Sequence, residues 1–372
     1  MVLDQLDLPA LGITRIGDHT GLDIVGLPVW FAARPNSRGL AVSQGKGMTD
    51  EQARLSAAME AVETAYAERC ETLVRFVGSL DDLTAQGLAA VPFERLLRTA
   101  SAQVDPRRIY AWVPGTVLGS GVPVYAPYDL VGIDYREGDL WDHESFHMTS
   151  IGLAAHGDRD RAIRHALFEV IENDATAALE IFGFSERLAE PLPEIAGSTE
   201  LEAALGKVTA AGLTVRFCRL RGAVDLPVIG CFVGRDVAGP GGNGVAYTAG
   251  FACRVDIADA ALAALLEAVQ SRLTDIAGAR DDILAEAFTP ASYDIGAQLP
   301  ETRLAGRQQR PTGDPDTTTA ALQAAGIDEV YVFDLAPPGP VSVVRVLVPD
   351  LQSPGSASQL RLGLTAARQF LA

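Results

Sequence analysis

ALFEVIEND, residues 166–174, reads as a helix that is strongly apolar and yet carries two acids on one side. Glu169 and Glu172 stand three apart among Leu167, Phe168, Val170 and Ile171, and residues at i and i+3 share a helical face. A surface helix would surround such acids with lysines. A core helix would not carry them, because a buried carboxylate is costly unless it is paired or bound to a metal.

The same oddity recurs twice. MEAVE (59–63) carries Glu60 and Glu63, and LEAVQ (266–270) carries Glu267 and Gln270. Small or apolar neighbours such as Ala57, Met59, Val62, Leu266 and Val269 imply helices buried over much of their circumference. The first helix is predicted from Thr49 to about Glu71, with Thr49 as its cap, Gln52 completing a capping box, and Asp50 and Glu51 at the positive end. The second is predicted over about Asp158–Ile181 and the third over about Ile257–Ala277. Five carboxylates brought together would repel, and a divalent cation removes that repulsion. Hard oxygen ligands select Mg2+, Mn2+ or Ca2+ over zinc or copper, and Mg2+ usually joins one or two carboxylates to substrate phosphates. The pattern therefore suggests a metal–nucleotide site built from three helices. The alternative is that the acids pair with Arg54, His165 and Arg272.

Candidate phosphate contacts are mixed. VSQGKG (42–47) sets Lys46 between glycines but is no Walker motif, so Lys46 is either a phosphate contact or a solvated turn lysine. Ser56 lies one turn before Glu60 and can join its face, or bond a helix carbonyl. QSRLTDIAGARDD (270–282) groups Gln270, Arg272, Arg280, Asp281 and Asp282, which suits phosphate recognition or an internal arginine–aspartate clamp. Other chemistries lack their signatures. HESFH (143–147) is not H-E-x-x-H, and neither G-x-S-x-G nor a G-x-G-x-x-G after a strand is present.

With 48% hydrophobic and 21% charged residues the chain can bury a large core. A net charge of −18 argues against nonspecific binding to nucleic acid or anionic lipid. Cys70, Cys218, Cys231 and Cys253 show no metal spacing, which fits a reducing compartment. The N-terminus does not read as a signal peptide, and no apolar run reaches membrane-spanning length, so a soluble cytoplasmic protein is expected. Residues 20–34 suggest a turn and then a strand, 106–131 suggest hairpins, and TVRFCRL, LPVIGCFVG, EVYVFDL and VSVVRVLVP suggest strands. TELEAALGKVTAAGL reads as an exposed helix, a further helix is expected near 317–325, GPGGNG (239–244) as a turn, and 286–316 as an irregular loop. One large α+β or α/β domain spanning 1–372 is the simplest organisation.

Together these residues resemble the YcaO superfamily. The stretch from Thr20 to Glu63, TGLDIVGLPVWFAARPNSRGLAVSQGKGMTDEQARLSAAMEAVE, is similar to its N-terminal signature. GLAAHGDRDRAIRHALFEVIENDA (152–175) is similar to its central motif, and CRVDIADAALAALLEAVQSRLTDIAGARDD (253–282) to its third. The resemblance implies an α+β fold of mixed, largely antiparallel sheets with flanking helices. It implies an ATP- and Mg2+-dependent enzyme that phosphorylates a peptide amide oxygen, so that a nucleophile displaces phosphate. A neighbouring side chain gives an azoline, and external sulfide gives a thioamide. By motif position Ser56, Glu60 and Glu63 would form a first ATP–Mg2+ cluster, Glu169 and Glu172 a second, and Glu267, Gln270 and Arg272 a third, with Lys46 near the phosphates. The metal ligands would be Glu60, Glu63, Glu169, Glu172 and Glu267.

The chain departs from the family pattern. Ala154 and Gly157 stand where polar side chains could touch nucleotide, Arg161 where an acid is common, and Asn173 where a phosphate-facing arginine is usual. The C-terminal RLGLTAARQFLA lacks the proline-rich tail of azoline-forming members. That favours thioamide formation with a TfuA-type partner protein on a peptide substrate, and a homodimer is expected by family analogy. The competing expectation is a degraded, peptide-presenting scaffold.

Overall fold

The computed structural model describes residues 2–98, 105–136, 145–235, 247–278, 298–307, 317–351 and 364–371. Strands are numbered in chain order. β1 (Arg15–Asp18), β2 (Val29–Ala33) and β3 (Val42–Lys46) form an antiparallel sheet in that order. Helix α1 (Asp50–Ala67) lies against β2 and β3. It stops before the expected Glu71, and a 3-10 turn over Cys70–Leu73 follows.

A second sheet holds β4 (Phe76–Gly78), β5 (Tyr110–Val117), β6 (Pro123–Pro127), β7 (Leu153–His156), β14 (Tyr331–Asp334) and β15 (Ser342–Leu347). Its order is β4-β5-β14-β15-β7, with β6 also on β5, and every pair is antiparallel. Short helices α2 (Leu80–Ala85) and α3 (Tyr128–Val131) flank it. A third antiparallel sheet, β12-β11-β10-β8, is made of β8 (Ala189–Leu192), β10 (Thr214–Leu220), β11 (Val228–Gly234) and β12 (Tyr247–Cys253). The expected hairpins and strands are thus present, in the mixed α+β, largely antiparallel arrangement implied by the resemblance.

Helix α4 (Arg159–Phe182) lies between the second sheet and β12. Its Leu167, Val170 and Ile171 share a core with Val344, Val346 and Cys253. The opposite face of the second sheet meets α1, where Ala57, Ala61 and Ala65 pack with Trp112, Phe333 and Val343. α5 (Thr199–Ala210) and α6 (Ile257–Ala277) cover the third sheet, with Ala260, Ala264 and Ala268 against Ile229, Cys231 and Ala252. Alanines on these faces let helices approach sheets closely.

Three expectations are corrected. α5 is amphipathic rather than simply exposed, burying Leu201, Ala204 and Val208. The segment expected as an irregular loop contains β13 (Arg303–Arg307), which pairs in parallel with β9 (Glu194–Gly197); residues 286–297 and 308–316 lie outside the described residues. A C-terminal helix, Leu364–Leu371, docks on α4 and was not expected. GPGGNG (239–244) also lies outside the described residues. Among those described, no helix is long and apolar enough to cross a membrane.

Candidate functional site

Three strand–cap–helix units build the site. β3 leads through Thr49 into α1, β7 through Asp158 into α4, and β12 through Asp256 into α6. Each cap accepts a backbone N–H from the third helical residue, Gln52, Arg161 and Asp259 respectively. The capping box at Thr49 is shifted, because the Gln52 side chain accepts from Met48 N–H at 2.9 Å. With the starts fixed in this way, the first acid of each pair falls at one offset: Asp50 to Glu60, Arg159 to Glu169, Ile257 to Glu267. The second position carries Glu63, Glu172 and Gln270 one helical step further on the same face.

Backbone amides hold one oxygen of three of these acids. Glu63 Oε1 accepts from Ala155 N–H at 2.7 Å, Glu169 Oε2 from Gly152 N–H at 3.1 Å, and Glu267 Oε1 from Phe251 N–H at 3.5 Å. Lys46, at the end of β3, reaches Glu267 Oε2 at 2.8 Å, so it is an ion-paired lysine and not a freely solvated one. The Thr274 hydroxyl on α6 donates to Gln44 Oε1 on β3 and ties the same two elements again. All five glutamates are half-buried.

Their charges share one field although they come from three helices. Burial pushes the Glu169 carboxyl from its ordinary 4.5 up to about 8, with Glu267 and Glu60 adding to the rise and Arg345 and the Gly152 N–H opposing it. Burial, then the charges of Glu60 and Glu169, lift Glu63 well above the usual range, against the Ala155 N–H and Arg345. Burial followed by Glu267 and Glu169 does the same for Glu172, against Arg254 and Lys46. Among the described residues, no three acid, histidine or cysteine side chains stand close enough to enclose one ion unaided. This donor set fits Mg2+, which takes one or two carboxylates and completes its shell with phosphate and water.

A pH dependence follows. A carboxyl whose folded value lies above its unfolded value favours the folded state below about 4.5 and loses that contribution as pH rises through about 8. Without metal the melting temperature should therefore fall as pH rises from 5 to 8. Mg2+ should restore it most at the upper end, where ligands are deprotonated. Differential scanning calorimetry with and without Mg2+ checks this; a metal-independent profile would contradict the carboxylate assignment.

The remaining candidates are placed unevenly. Ser56 is half-buried on α1 one turn before Glu60, and Gln270 is half-buried one step beyond Glu267. Arg272 Nε donates to the buried Asp23 at 2.8 Å, so it forms an arginine–aspartate clamp, with a partner from a distant segment. Arg280, Asp281 and Asp282 lie outside the described residues. Arg54 and His165 are exposed and, among the described residues, make no ion pair with the acids. Ala154 cannot line the site, because strand alternation buries it in the α4 core. Its neighbour Ala155 faces the acids instead. Gly157 and Arg161 are exposed, and Asn173 Oδ1 makes no hydrogen bond.

Two cations were missed. Arg254 follows β12, lies over the Phe168 ring at 5.6 Å and, among the described residues, forms no ion pair while facing Glu172. Arg345 on β15 is buried beneath Glu63 and Glu169. Its signal was an arginine inside VSVVRVLVP, which is otherwise a core strand.

Comparison with known proteins places the fold and the sequence in a family. The family model YcaO cyclodehydratase, ATP- and Mg2+-binding, matches residues 44–352. A protein encoded in the region 3′ of tfuA in Rhizobium leguminosarum bv. trifolii is 34% identical, over 95% of this chain and 87% of that one. The structure of YcaO from Methanopyrus kandleri bound with AMPPCP and Mg2+ superposes with a TM-score of 0.70 at 25% identity, over 96% of this chain and 90% of that one. A heterocyclase in complex with substrate and cofactor shares the fold, with a TM-score of 0.72 at 20% identity over 91% of this chain and 50% of that one. With the family match extending over most of its length, the chain belongs to the YcaO family of ATP- and Mg2+-binding cyclodehydratases.

Proposed function

We propose that the protein uses ATP and Mg2+ to phosphorylate the carbonyl oxygen of a peptide-backbone amide, and that thioamide formation is favoured over azoline formation. The observation that carries this reading is that strand amides and Lys46 hold Glu63, Glu169 and Glu267 from three helices, where their charges couple with those of Glu60, Glu172 and Arg254. Acids next to cations suit a metal–triphosphate, because the carboxylates take the metal and the cations take phosphate oxygens. Ser56 and Gln270 would meet the nucleotide from α1 and α6. Arg272 would act through its clamp on Asp23, which anchors α6.

Bound Mg2+ would neutralise the triphosphate and align it for in-line transfer. The protein's part is to hold the reactants in line: Lys46 and the Phe251 N–H fix Glu267, and the Gly152 N–H fixes Glu169. The amide oxygen attacks the γ-phosphorus, its bond to the β-phosphate oxygen breaks, and ADP leaves. Hydrosulfide then adds to the activated carbon, phosphate departs with the former amide oxygen, and C=S replaces C=O with loss of a proton. The tfuA-region relative supports sulfide over a ring-closing side chain. It also supports a TfuA-type partner.

Intact mass spectrometry tests the reaction, using a candidate peptide encoded beside this gene with ATP, sulfide and the TfuA-type protein. A gain of about 16 mass units identifies thioamide, whereas a loss of about 18 means ring closure and overturns the sulfide assignment. A peptide-presenting scaffold is the second reading, motivated by exposed Arg161 and by Asn173 Oδ1 without a hydrogen bond. An unchanged peptide mass, together with no calorimetric affinity for Mg–ATP even with partner present, favours it.

Arg254 gives a further prediction. Arg254→Ala should raise KM for ATP about tenfold or more, as expected for losing a charge-assisted phosphate contact, and should leave stability near wild type. Steady-state kinetics at varied ATP check it; an unchanged KM removes Arg254 from the phosphate side.

A further inference from the structure

We propose that Arg345 is a positioning residue: it fixes the Thr149–Gly152 turn so that backbone amides aim Glu169 and Glu63 at a divalent cation. The inference rests on reading the carboxylates as metal ligands.

Arg345 is only 1% exposed and among the described residues forms no ion pair. A buried charge without a direct counter-ion is costly, so its position needs a physical reason. Its guanidinium instead spans three carbonyls. Nε donates to Val131 O at 3.2 Å, Nη1 to Ile151 O at 2.6 Å and Nη2 to Thr149 O at 2.6 Å. The charges that offset it at longer range are first Glu169 and, more weakly, Glu63.

The turn held by these bonds is tightly specified. Ile151 N–H donates to Thr149 Oγ1 at 3.2 Å, and Leu153 N–H to Ser150 O at 2.9 Å. Gly152 has φ +81°, where L side chains are strained, and a Cβ there would strike Val346 O. Val346 N–H grips Gly152 O at 2.7 Å, one residue along β15 from Arg345. The remaining polar group, Gly152 N–H, points at Glu169 Oε2 at 3.1 Å. β7 leaves this turn, and its Ala155 N–H meets Glu63 Oε1 at 2.7 Å. One side chain thus orders the backbone that orients acids from two different helices. A lysine, with a single point charge, cannot bridge carbonyls spread as these are.

The test is Mn2+ affinity by electron paramagnetic resonance on Arg345→Gln, Arg345→Lys, Thr149→Ala, Glu169→Gln and the Arg345→Gln/Glu169→Gln double variant, each checked for folding by circular dichroism. Arg345→Gln should weaken Mn2+ binding about tenfold or more while folded. Arg345→Lys should recover only part of the loss. The loss in the double variant should fall short of the sum of the two single losses, because Arg345 acts partly through Glu169, with the remainder passing through Glu63. Thr149→Ala, which removes only the hydroxyl under Ile151 N–H, should weaken binding several-fold at a near wild-type melting temperature, and decides the matter if Arg345→Gln does not fold. Wild-type affinity in folded Arg345→Gln or in Thr149→Ala, or additive losses in the double variant, overturn the positioning role. Absence of Mn2+ binding in the wild-type protein overturns the metal reading itself, and this inference with it.

Discussion

Glu169→Ala and Glu60→Ala are each expected to abolish peptide-dependent ATP hydrolysis, by about a hundredfold or more, without unfolding the protein. The magnitude follows from the role. Changing a group that merely orients a metal ligand costs about 10- to 100-fold, and removing a ligand costs at least as much. The retained fold follows from electrostatics. Burial and the charges of Glu267 and Glu60 make the ionised form of Glu169 unfavourable, with Arg345 and the Gly152 N–H as its main compensation. Taking one carboxylate from this cluster relieves repulsion in the metal-free protein, so stability near pH 8 should hold or rise while activity disappears. Opposite signs of the two effects mark a group retained for function at the expense of stability. Wild-type turnover in both variants would remove these residues from the site. Activity and stability falling together would make them structural.

What the sequence conveyed depended on how local the information was. Helix starts at Thr49, Asp158 and Asp256 and the E-x-x-E/Q spacing are local, so three helices and the acids on their faces were legible. Which elements meet is set by pairings far apart in the chain. β7 joins β15, with Val344 opposite Ala154, and no local pattern announces this. That pairing buries Ala154 and turns Ala155 toward the acids. Arg272 illustrates the same limit, because its partner Asp23 belongs to a segment with no sequence link to α6. Arg345 was visible as a charge in an apolar strand, but its meaning lay in carbonyls from two other segments.

Substituting alanine for Gly45 or Gly250 is expected to damage stability and activity together. Each glycine sits in a strand that presses on the following helix next to its first glutamate, at Ala53 and Ala57 ahead of Glu60 in one case and at Ala264 and Ala268 on either side of Glu267 in the other. A Cβ on Gly45 would lie 2.5 Å from Ala53 O and 2.6 Å from Ala57 Cα, with Ala57 N closer still. On Gly250 it would lie 2.7 Å from Glu267 Cβ, with the Ala268 amide and Ala264 carbonyl closer. These are mostly backbone atoms, which cannot rotate aside, so the helix must move off its sheet. Overpacking typically costs about 1–3 kcal/mol, and a contact against helix backbone belongs at or above the upper end. The displaced element carries Glu60 in one case and Glu267 in the other, and a shift of about 1 Å is enough to cost on the order of a hundredfold in rate. Gly206→Ala is the control. It lies inside α5 with nothing within 4 Å of a new Cβ, and should stabilise by about 0.5–1 kcal/mol with unchanged activity. Urea denaturation midpoints and ATP turnover on all three variants check the set. Wild-type midpoints for Gly45→Ala and Gly250→Ala would mean that the strands do not seat these helices, and that the common offset of the glutamates is set by the caps alone.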